Sequence, residues 1–212
     1  MIPVEVHFTS RTPPADFMAS RVDVADRQQV EGWITEIIAR YHRLDGAANI
    51  AGVIGKDHGV KAVADLDDDE WHKIIAVNLT GTMYCLRAEL NHIVDGGSIV
   101  NIASIHATTG LANHSAYAAS NHGVLGLTRA AAKENGHREI RVNAVAPGPI
   151  YTPMMQGHWD RMGRPDDAPF DDPIAFRRQG TADEVANVVV FLLGPESSFV
   201  RGSCYSVDGA WL

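Results

Sequence analysis

Four side chains between positions 104 and 117 carry groups that suit chemistry on a carbonyl compound. Ser104 and Tyr117 each offer a hydroxyl, and two such donors aimed at one carbonyl oxygen stabilise the negative charge that develops on it. His106 and His114 lie between them, and an unperturbed histidine pKa near 6.5 suits proton transfer at neutral pH. The pattern favours acid/base catalysis, although two histidines on a surface loop would give the same sequence.

These side chains need a scaffold, and the apolar pattern predicts helices that alternate with short strands. Helices are predicted over residues 30–41, 68–94, 115–135 and 181–193, and strands over residues 44–50, 98–103, 140–146 and 203–207. This alternation predicts a single α/β domain over residues 1–212, with a Rossmann-like, doubly wound parallel sheet. Ligand sites in such sheets lie at the carboxyl ends of the strands, here residues 49–52, Ser104 and residues 147–152.

Composition excludes several classes of protein. The 212 residues are 45% hydrophobic and 21% charged, which excludes a disordered or collagen-like chain. A net charge of −8 argues against a nucleic-acid partner. No apolar run is long enough to span a membrane, and the N-terminus does not resemble a secretory signal. With only two cysteines, the chain is expected to be cytoplasmic.

Short motifs accompany the predicted strand ends. Ser104 and Tyr117 stand thirteen positions apart, and the other motifs, in chain order, are Asp23-Val24, Asn49-Ile50-Ala51-Gly52, Val77-Asn78-Leu79, Pro147-Gly148 with Ile150 and Thr152, and Val207-Asp208-Gly209. Together they resemble the short-chain dehydrogenase/reductase family over about residues 17–212. The resemblance implies that Asn78, Ser104 and Tyr117 are catalytic. It also implies that cofactor-contacting positions of the family correspond to Asp23, Asn49, Gly52, Pro147, Gly148, Ile150 and Thr152.

One departure from the family concerns the cofactor's pyrophosphate. The family's site opens with Gly-x-x-x-Gly-x-Gly after its first strand, where glycines let backbone N–H groups approach the phosphates. The first glycine here is Gly32, and no Gly-x-Gly occurs in the chain. We therefore expect the first βαβ unit to be missing and the sheet to be incomplete at its N-terminal side. Residues 1–24 are then predicted to form two atypical strands.

The second departure is at Asn121, where the family has a lysine four residues after its tyrosine. Residues at this spacing share one face of a helix, and a nearby ammonium would lower the pKa of the phenol. Without that charge we expect Tyr117 to stay protonated at neutral pH. Both departures affect the nicotinamide cofactor, so no bound cofactor is expected.

The leading hypothesis is thus a cofactor-independent isomerase, dehydratase, cyclase or lyase, with His106 or His114 moving the proton. One alternative is an NAD- or NADP-dependent carbonyl oxidoreductase whose first unit is absent from this chain. Another is a catalytically inactive partner subunit. Residues 151–180 are predicted to form a substrate lid, and its apolar side chains suggest a small hydrophobic, polyketide-like carbonyl substrate.

Two further expectations concern metal ions and assembly. His106, His114 and His122 match no known zinc spacing, so no metal site is predicted. The resemblance implies a homodimer or a homotetramer.

Overall fold

Four parallel strands form the sheet in a computed structural model that describes residues 18–165 and 173–211. They lie in the order β1-β2-β3-β4, with bounds Leu44–Asn49, Ile93–Ile102, Arg141–Pro147 and Cys204–Val207. The pairing aligns Asn49 with Asn101, and Ile102 with Val145. Because all four strands are parallel, their carboxyl ends meet at one edge of the sheet, and the predicted α/β, Rossmann-like fold is confirmed.

Six α-helices connect and cover the strands in the described part of the chain. They are α1 (Arg27–Tyr41), α2 (Asp68–Ile74), α3 (Thr82–Leu90), α4 (Ser115–Glu134), α5 (Pro153–Met162) and α6 (Ala182–Leu193). Thr181 is the N-cap of α6: its hydroxyl accepts a hydrogen bond from the N–H of Glu184, and the Glu184 carboxylate accepts one from the N–H of Thr181. No helix within the described ranges is long and apolar enough to cross a bilayer.

The two faces of the sheet are covered by different helices. Successive strand residues point to opposite faces, so Ile99 and Val100 enter separate clusters. Ile99 packs with Leu86 of α3 and Ala131 of α4, whereas Val100 packs with Leu192 of α6. A sheet buried on both faces needs nearly continuous apolar strands, and this is what β2 and β3 supply.

Two predicted elements differ from the structure. The single helix expected over residues 68–94 is interrupted by a π-helical turn at Ile75–Gly81, and β2 already begins at Ile93. The strands expected within residues 1–24 lie mostly outside the described residues, and residues 18–23 form no strand. Instead, Val22 and Val24 are buried against α1 and α3, where they pack with Val30 and Cys85.

Candidate functional site

The hydroxyl pair lies at the carboxyl edge of the sheet. Ser104 follows β2, is buried, and begins the 3₁₀ turn Ile105–Ala107, where its carbonyl accepts a hydrogen bond from the N–H of Ala107 at 2.8 Å. Tyr117 lies in the first turn of α4. The Ser104 side chain lies close enough to the Tyr117 phenol to lower its pKa, so the structure brings the two predicted hydroxyls together.

Burial governs the charge of the phenol. It raises the pKa of Tyr117 above its ordinary value of 10, although hydrogen bonds from Ser104 and Asn121 oppose the rise. Asn121 is itself buried, and its amide also donates to the backbone carbonyl of Tyr117 at 2.8 Å. Tyr117 is therefore protonated at neutral pH, as a donor must be.

Asn78 lies in the π-helical turn and is buried. Its side-chain oxygen accepts a hydrogen bond from the N–H of Val53, and its nitrogen donates to the carbonyl of Val53, both at 2.8 Å. The same nitrogen donates to the Ser120 hydroxyl at 3.2 Å. Asn78 thus ties the loop after β1 to the helix that carries Tyr117, and single-turn π-bulges are frequent at functional sites.

Three histidine rings form a cluster beside the ring of Tyr117. His106 is buried, not on a surface loop, and its ring centroid lies 5.5 Å from that of Tyr117. His114 stacks on His106 at 5.0 Å. The third, His58, lies 5.1 Å from Tyr117 and 4.1 Å from His114. Burial lowers the pKa of His106 to about 4, which makes it a poor general base near neutral pH.

His58 was not predicted from the sequence as a site residue. It lies in the loop after β1, where the N–H of Gly59 donates to the carbonyl of Asn113 at 2.9 Å and so holds His58 beside His114. Gly59 has a φ of +77°, a conformation that favours glycine. A histidine flanked by Gly55 and Gly59 at the carboxyl edge of a sheet was the available signal.

The positions equivalent to the family's cofactor contacts lie along the same edge. Asp23 precedes Val24, which contacts the π-helical turn at Gly81. A Cβ on Gly52 would lie 3.5 Å from Oδ1 of Asn78, in ordinary contact. A Cβ on Gly148 would lie only 2.9 Å from Cα of Asp208, so glycine is needed where β3 ends against the chain after β4.

The segment after β3 offers a pair of backbone groups suited to a carboxamide. Tyr151 N–H donates to the Gly180 carbonyl and Gly180 N–H to the Pro149 carbonyl, which leaves the N–H and C=O of Ile150 without a hydrogen bond to any described residue. A carboxamide has both a donor and an acceptor, so the nicotinamide end of a dinucleotide fits Ile150. Thr152 follows and caps α5 through its hydroxyl, which accepts from Met155 N–H at 3.3 Å.

Below the site, Asn49 belongs to a buried polar network. Its amide nitrogen donates to Glu89 at 3.0 Å and to the side-chain oxygen of Asn101 at 2.9 Å. Asn101 in turn donates to the Thr128 hydroxyl at 3.0 Å. Burial raises the pKa of Glu89 to about 7, and the Asn49 hydrogen bond only partly opposes the rise. The Asn49 amide nitrogen donates both of its hydrogens within the protein, so it is not available to a ligand.

Replacing Glu89 with glutamine is expected to stabilise the fold above pH 7. The folded-state pKa of about 7 exceeds the ordinary 4.5, so wild-type stability falls as the pH rises from 4.5 to 7, and the total loss is about 3 kcal/mol. Glutamine still accepts from Asn49 and removes that loss. Urea unfolding at pH 5 and pH 8 measures it, with exposed Glu134→Gln as control. Equal pH dependence in wild type and E89Q would contradict the assignment.

The predicted lid over residues 151–180 contains helix α5, and its residues 166–172 lie outside the described ranges. Met155 and Trp159 are half-buried, whereas Tyr151 is 62% exposed and Met162 51% exposed. His158 of α5 faces the site, with its ring 5.3 Å from that of His58. The segment therefore borders the histidines.

Comparison with known proteins identifies close relatives. Residues 6–211 match the family model described as enoyl-(acyl carrier protein) reductase. Short-chain dehydrogenase/reductase ABA4 of Pyricularia oryzae is 65% identical over 212 residues, which is all of this chain and 78% of that protein. Levodione reductase of Leifsonia aquatica is 36% identical over 203 residues, covering 93% of this chain and 75% of that protein. The structure of ElxO with NADP bound has a TM-score of 0.80 and 32% identity, covering 89% of this chain and 75% of that one.

These relatives correct two expectations. The hypothesis of a cofactor-independent isomerase, dehydratase, cyclase or lyase is wrong, because the named relatives are reductases and dehydrogenases. The expectation of no cofactor is also wrong, because solved neighbours carry NADP or NADPH. Both expectations depended on two departures from the family, the glycine-rich turn absent from these 212 residues and Asn121 in place of the lysine.

The likeness extends over the whole fold and not over one motif. It covers the hydroxyl pair, the Asn78 helix and the segment after β3, all on one parallel sheet. The chain spans 78% of the length of ABA4, so the lack of a glycine-rich turn within it does not argue against cofactor use, and a missing first unit stays a prediction. The chain belongs to the short-chain dehydrogenase/reductase family.

Proposed function

We propose that the protein is an NAD(P)-dependent oxidoreductase that interconverts a ketone and an alcohol on a small, hydrophobic, cyclic substrate. The observation that carries this proposal is the proximity of the Ser104 hydroxyl to the Tyr117 phenol, with Tyr117 kept protonated by burial. A protonated phenol beside a second hydroxyl is what a ketone needs to accept a hydride, since negative charge develops on its oxygen. The family membership supports the same reading.

In the reduction direction, Tyr117 donates its proton to the carbonyl oxygen. Ser104 donates a hydrogen bond to the same oxygen and holds it beside the phenol. When bound, the reduced nicotinamide supplies the hydride. Asn78 keeps the loop at Val53 fixed against α4, which positions the pair without contacting the substrate. The high pKa of Tyr117 favours reduction near neutral pH, because oxidation needs the phenolate as base.

The nicotinamide end of the cofactor would be held by the segment after β3. The free N–H and C=O of Ile150 match its carboxamide, and Pro147 and Gly148 lead into this turn at the sheet edge. Asp23 would correspond to the family's adenine-contacting aspartate. Residues 1–17, outside the described part of the chain, carry no role in this assignment.

Two observations support the substrate class. Relatives named for their substrates include levodione reductase and cyclohexanol dehydrogenase, and the latter is 37% identical over 202 residues. Helix α5 approaches the site through His158, whose ring lies 5.3 Å from that of His58, and the same helix carries the half-buried Met155 and Trp159, side chains of a kind that suits an apolar ring. A small cyclic ketone therefore fits both the relatives and the lid.

The direct test is hydride transfer by the purified 212-residue chain. NADPH or NADH is mixed with a panel of substituted cyclohexanones at pH 7, and product alcohol is measured by chromatography alongside coenzyme oxidation. We expect alcohol and oxidised coenzyme in equal amounts. Thermal unfolding with each coenzyme measures binding separately, and a ligand at 100 times its Kd adds about 2.7 kcal/mol to stability. The proposal would be overturned if both coenzymes gave no product and no thermal shift.

A further inference from the structure

Three histidines from separate segments converge beside Tyr117. His58 comes from the loop after β1, His106 from the 3₁₀ turn after β2, and His114 from the turn before α4. One ring nitrogen from each lies within 4.8 Å of the other two. The proposed hydride transfer needs none of these imidazoles, so it does not explain why they converge.

Two nitrogens of this cluster are buried without a partner. Nδ1 of His58 and Nδ1 of His106 make no hydrogen bond within the described part of the chain. Native proteins rarely leave buried polar atoms unsatisfied, and each such atom calls for an explanation such as a ligand. Of the five such atoms among the described residues, these two belong to one cluster, which points to one ligand held by the histidines.

The third histidine is already oriented as a metal ligand would be. Nδ1 of His114 lies 2.6 Å from the carbonyl oxygen of Ala112, and because a carbonyl only accepts, this nitrogen must carry the proton. The lone pair is then on Nε2. This nitrogen faces Gly59, where an added Cβ would lie 3.8 Å from it. Histidines that bind metals commonly donate their other ring N–H to a carbonyl in this way.

The remaining two histidines each keep a ring nitrogen available. Nδ1 of His58 and Nδ1 of His106 have no hydrogen-bond partner among the described residues, and neutral imidazole is the form that binds metal ions. A cluster of neutral nitrogen donors selects zinc, copper or nickel over magnesium or calcium.

We propose that His58, His106 and His114 bind one divalent transition-metal ion, with zinc as the first candidate. Tetrahedral zinc with bonds of about 2.0–2.1 Å sets its nitrogen ligands about 3.3 Å apart, so the imidazoles draw together by about 1.5 Å or less on binding. Three protein ligands leave one position for water or a substrate oxygen. The sequence analysis grouped His122, and not His58, with His106 and His114, so it predicted no such site. In the structure His122 is exposed, and its Nδ1 is hydrogen-bonded to the Ala118 carbonyl.

The test is zinc binding by untagged protein, measured by isothermal titration calorimetry. We expect one zinc per chain for the wild type, with affinity reduced about 100-fold or more in His58→Gln and His114→Gln, because each removes a ligand. His72→Gln is the matched control, since His72 is exposed on α2, away from the cluster. It should bind zinc as tightly as the wild type. Circular dichroism of the metal-free variants checks that each one folds.

A second measurement needs no variant. Cobalt(II) added to the wild type should give intense visible absorption bands typical of tetrahedral coordination, and zinc should displace them. Absence of micromolar zinc binding, equal binding by the ligand variants and H72Q, or weak octahedral cobalt bands would each overturn the proposal. Because these readouts need neither coenzyme nor turnover, their failure leaves the oxidoreductase assignment unaffected, and the reverse also holds.

Discussion

Replacing Tyr117 with phenylalanine is expected to lower kcat/KM for ketone reduction by about 10²–10⁴-fold, the usual contribution of a positioned acid. Phenylalanine keeps the ring that contacts His58 and His106 but removes the proton that the alkoxide must receive. Coenzyme binding should survive, because the Ile150 backbone groups are untouched. Steady-state kinetics and coenzyme-induced thermal shifts of the wild type and Y117F measure the two effects separately.

Tyr205→Phe serves as the control for this change. Tyr205 lies on β4 with its ring 6.4 Å from that of Phe191, away from the hydroxyl pair, so its activity should equal that of the wild type. Undiminished reduction by Y117F would remove Tyr117 as the acid. A Y117F protein that no longer responds to coenzyme would instead assign Tyr117 to binding.

Replacing Asn121 with lysine is expected to move the pH dependence of alcohol oxidation to lower pH. Oxidation needs the Tyr117 phenolate, and burial raises the pKa of that phenol above 10, so wild-type oxidation should still increase with pH at pH 10. An ammonium one helical turn away favours the phenolate and lowers the pKa by about 1–3 units. Below pH 9 the oxidation rate of N121K should therefore exceed that of the wild type by about 10-fold or more.

Asn121→Met separates charge from size, since methionine is nearly as long as lysine but neutral. Rates of oxidation and reduction, each measured from pH 6 to pH 11, give the profiles of both variants. The alkaline decline of reduction should shift in N121K by the same amount as the rise of oxidation, because both report one phenol. Coincident profiles for N121K and N121M would show that charge at position 121 does not control Tyr117.

Local patterns in the sequence predicted most of the fold. The helix at residues 181–193 was predicted with Thr181 as its N-cap, and in the structure Thr181 caps α6 through a capping box that satisfies N–H groups of the first turn. The interruption at Ile75–Gly81 was not predicted, since its apolar spacing is that of a continuous helix, and the contact of Asn78 with Val53 within it joins residues 25 positions apart.

The candidate site was predicted in part. Ser104 and Tyr117 were predicted from their spacing of thirteen residues, which resembles that of the family's catalytic pair, and the structure brings them together because Ser104 follows β2 and Tyr117 lies in the first turn of α4. His58 was missed because a long-range backbone contact, from Gly59 N–H to the Asn113 carbonyl, brings it to the cluster, and no short-range pattern reports such a contact. The functional hypothesis failed for another reason, because it depended on a glycine-rich turn and a lysine that these 212 residues lack.

The π-helical turn also fixes the helical phase between α2 and α3. An α-helix rotates by about 100° per residue. The wider π-helical turn at Ile75–Gly81 rotates less per residue, so it sets a different angle between the faces of α2 and α3 than a regular helix would. Loss of one residue here would turn Asn78 away from Val53 or rotate Leu86 of α3 out of the core. The spacing between the two is therefore intolerant of single-residue insertions and deletions, even where each side chain alone is replaceable.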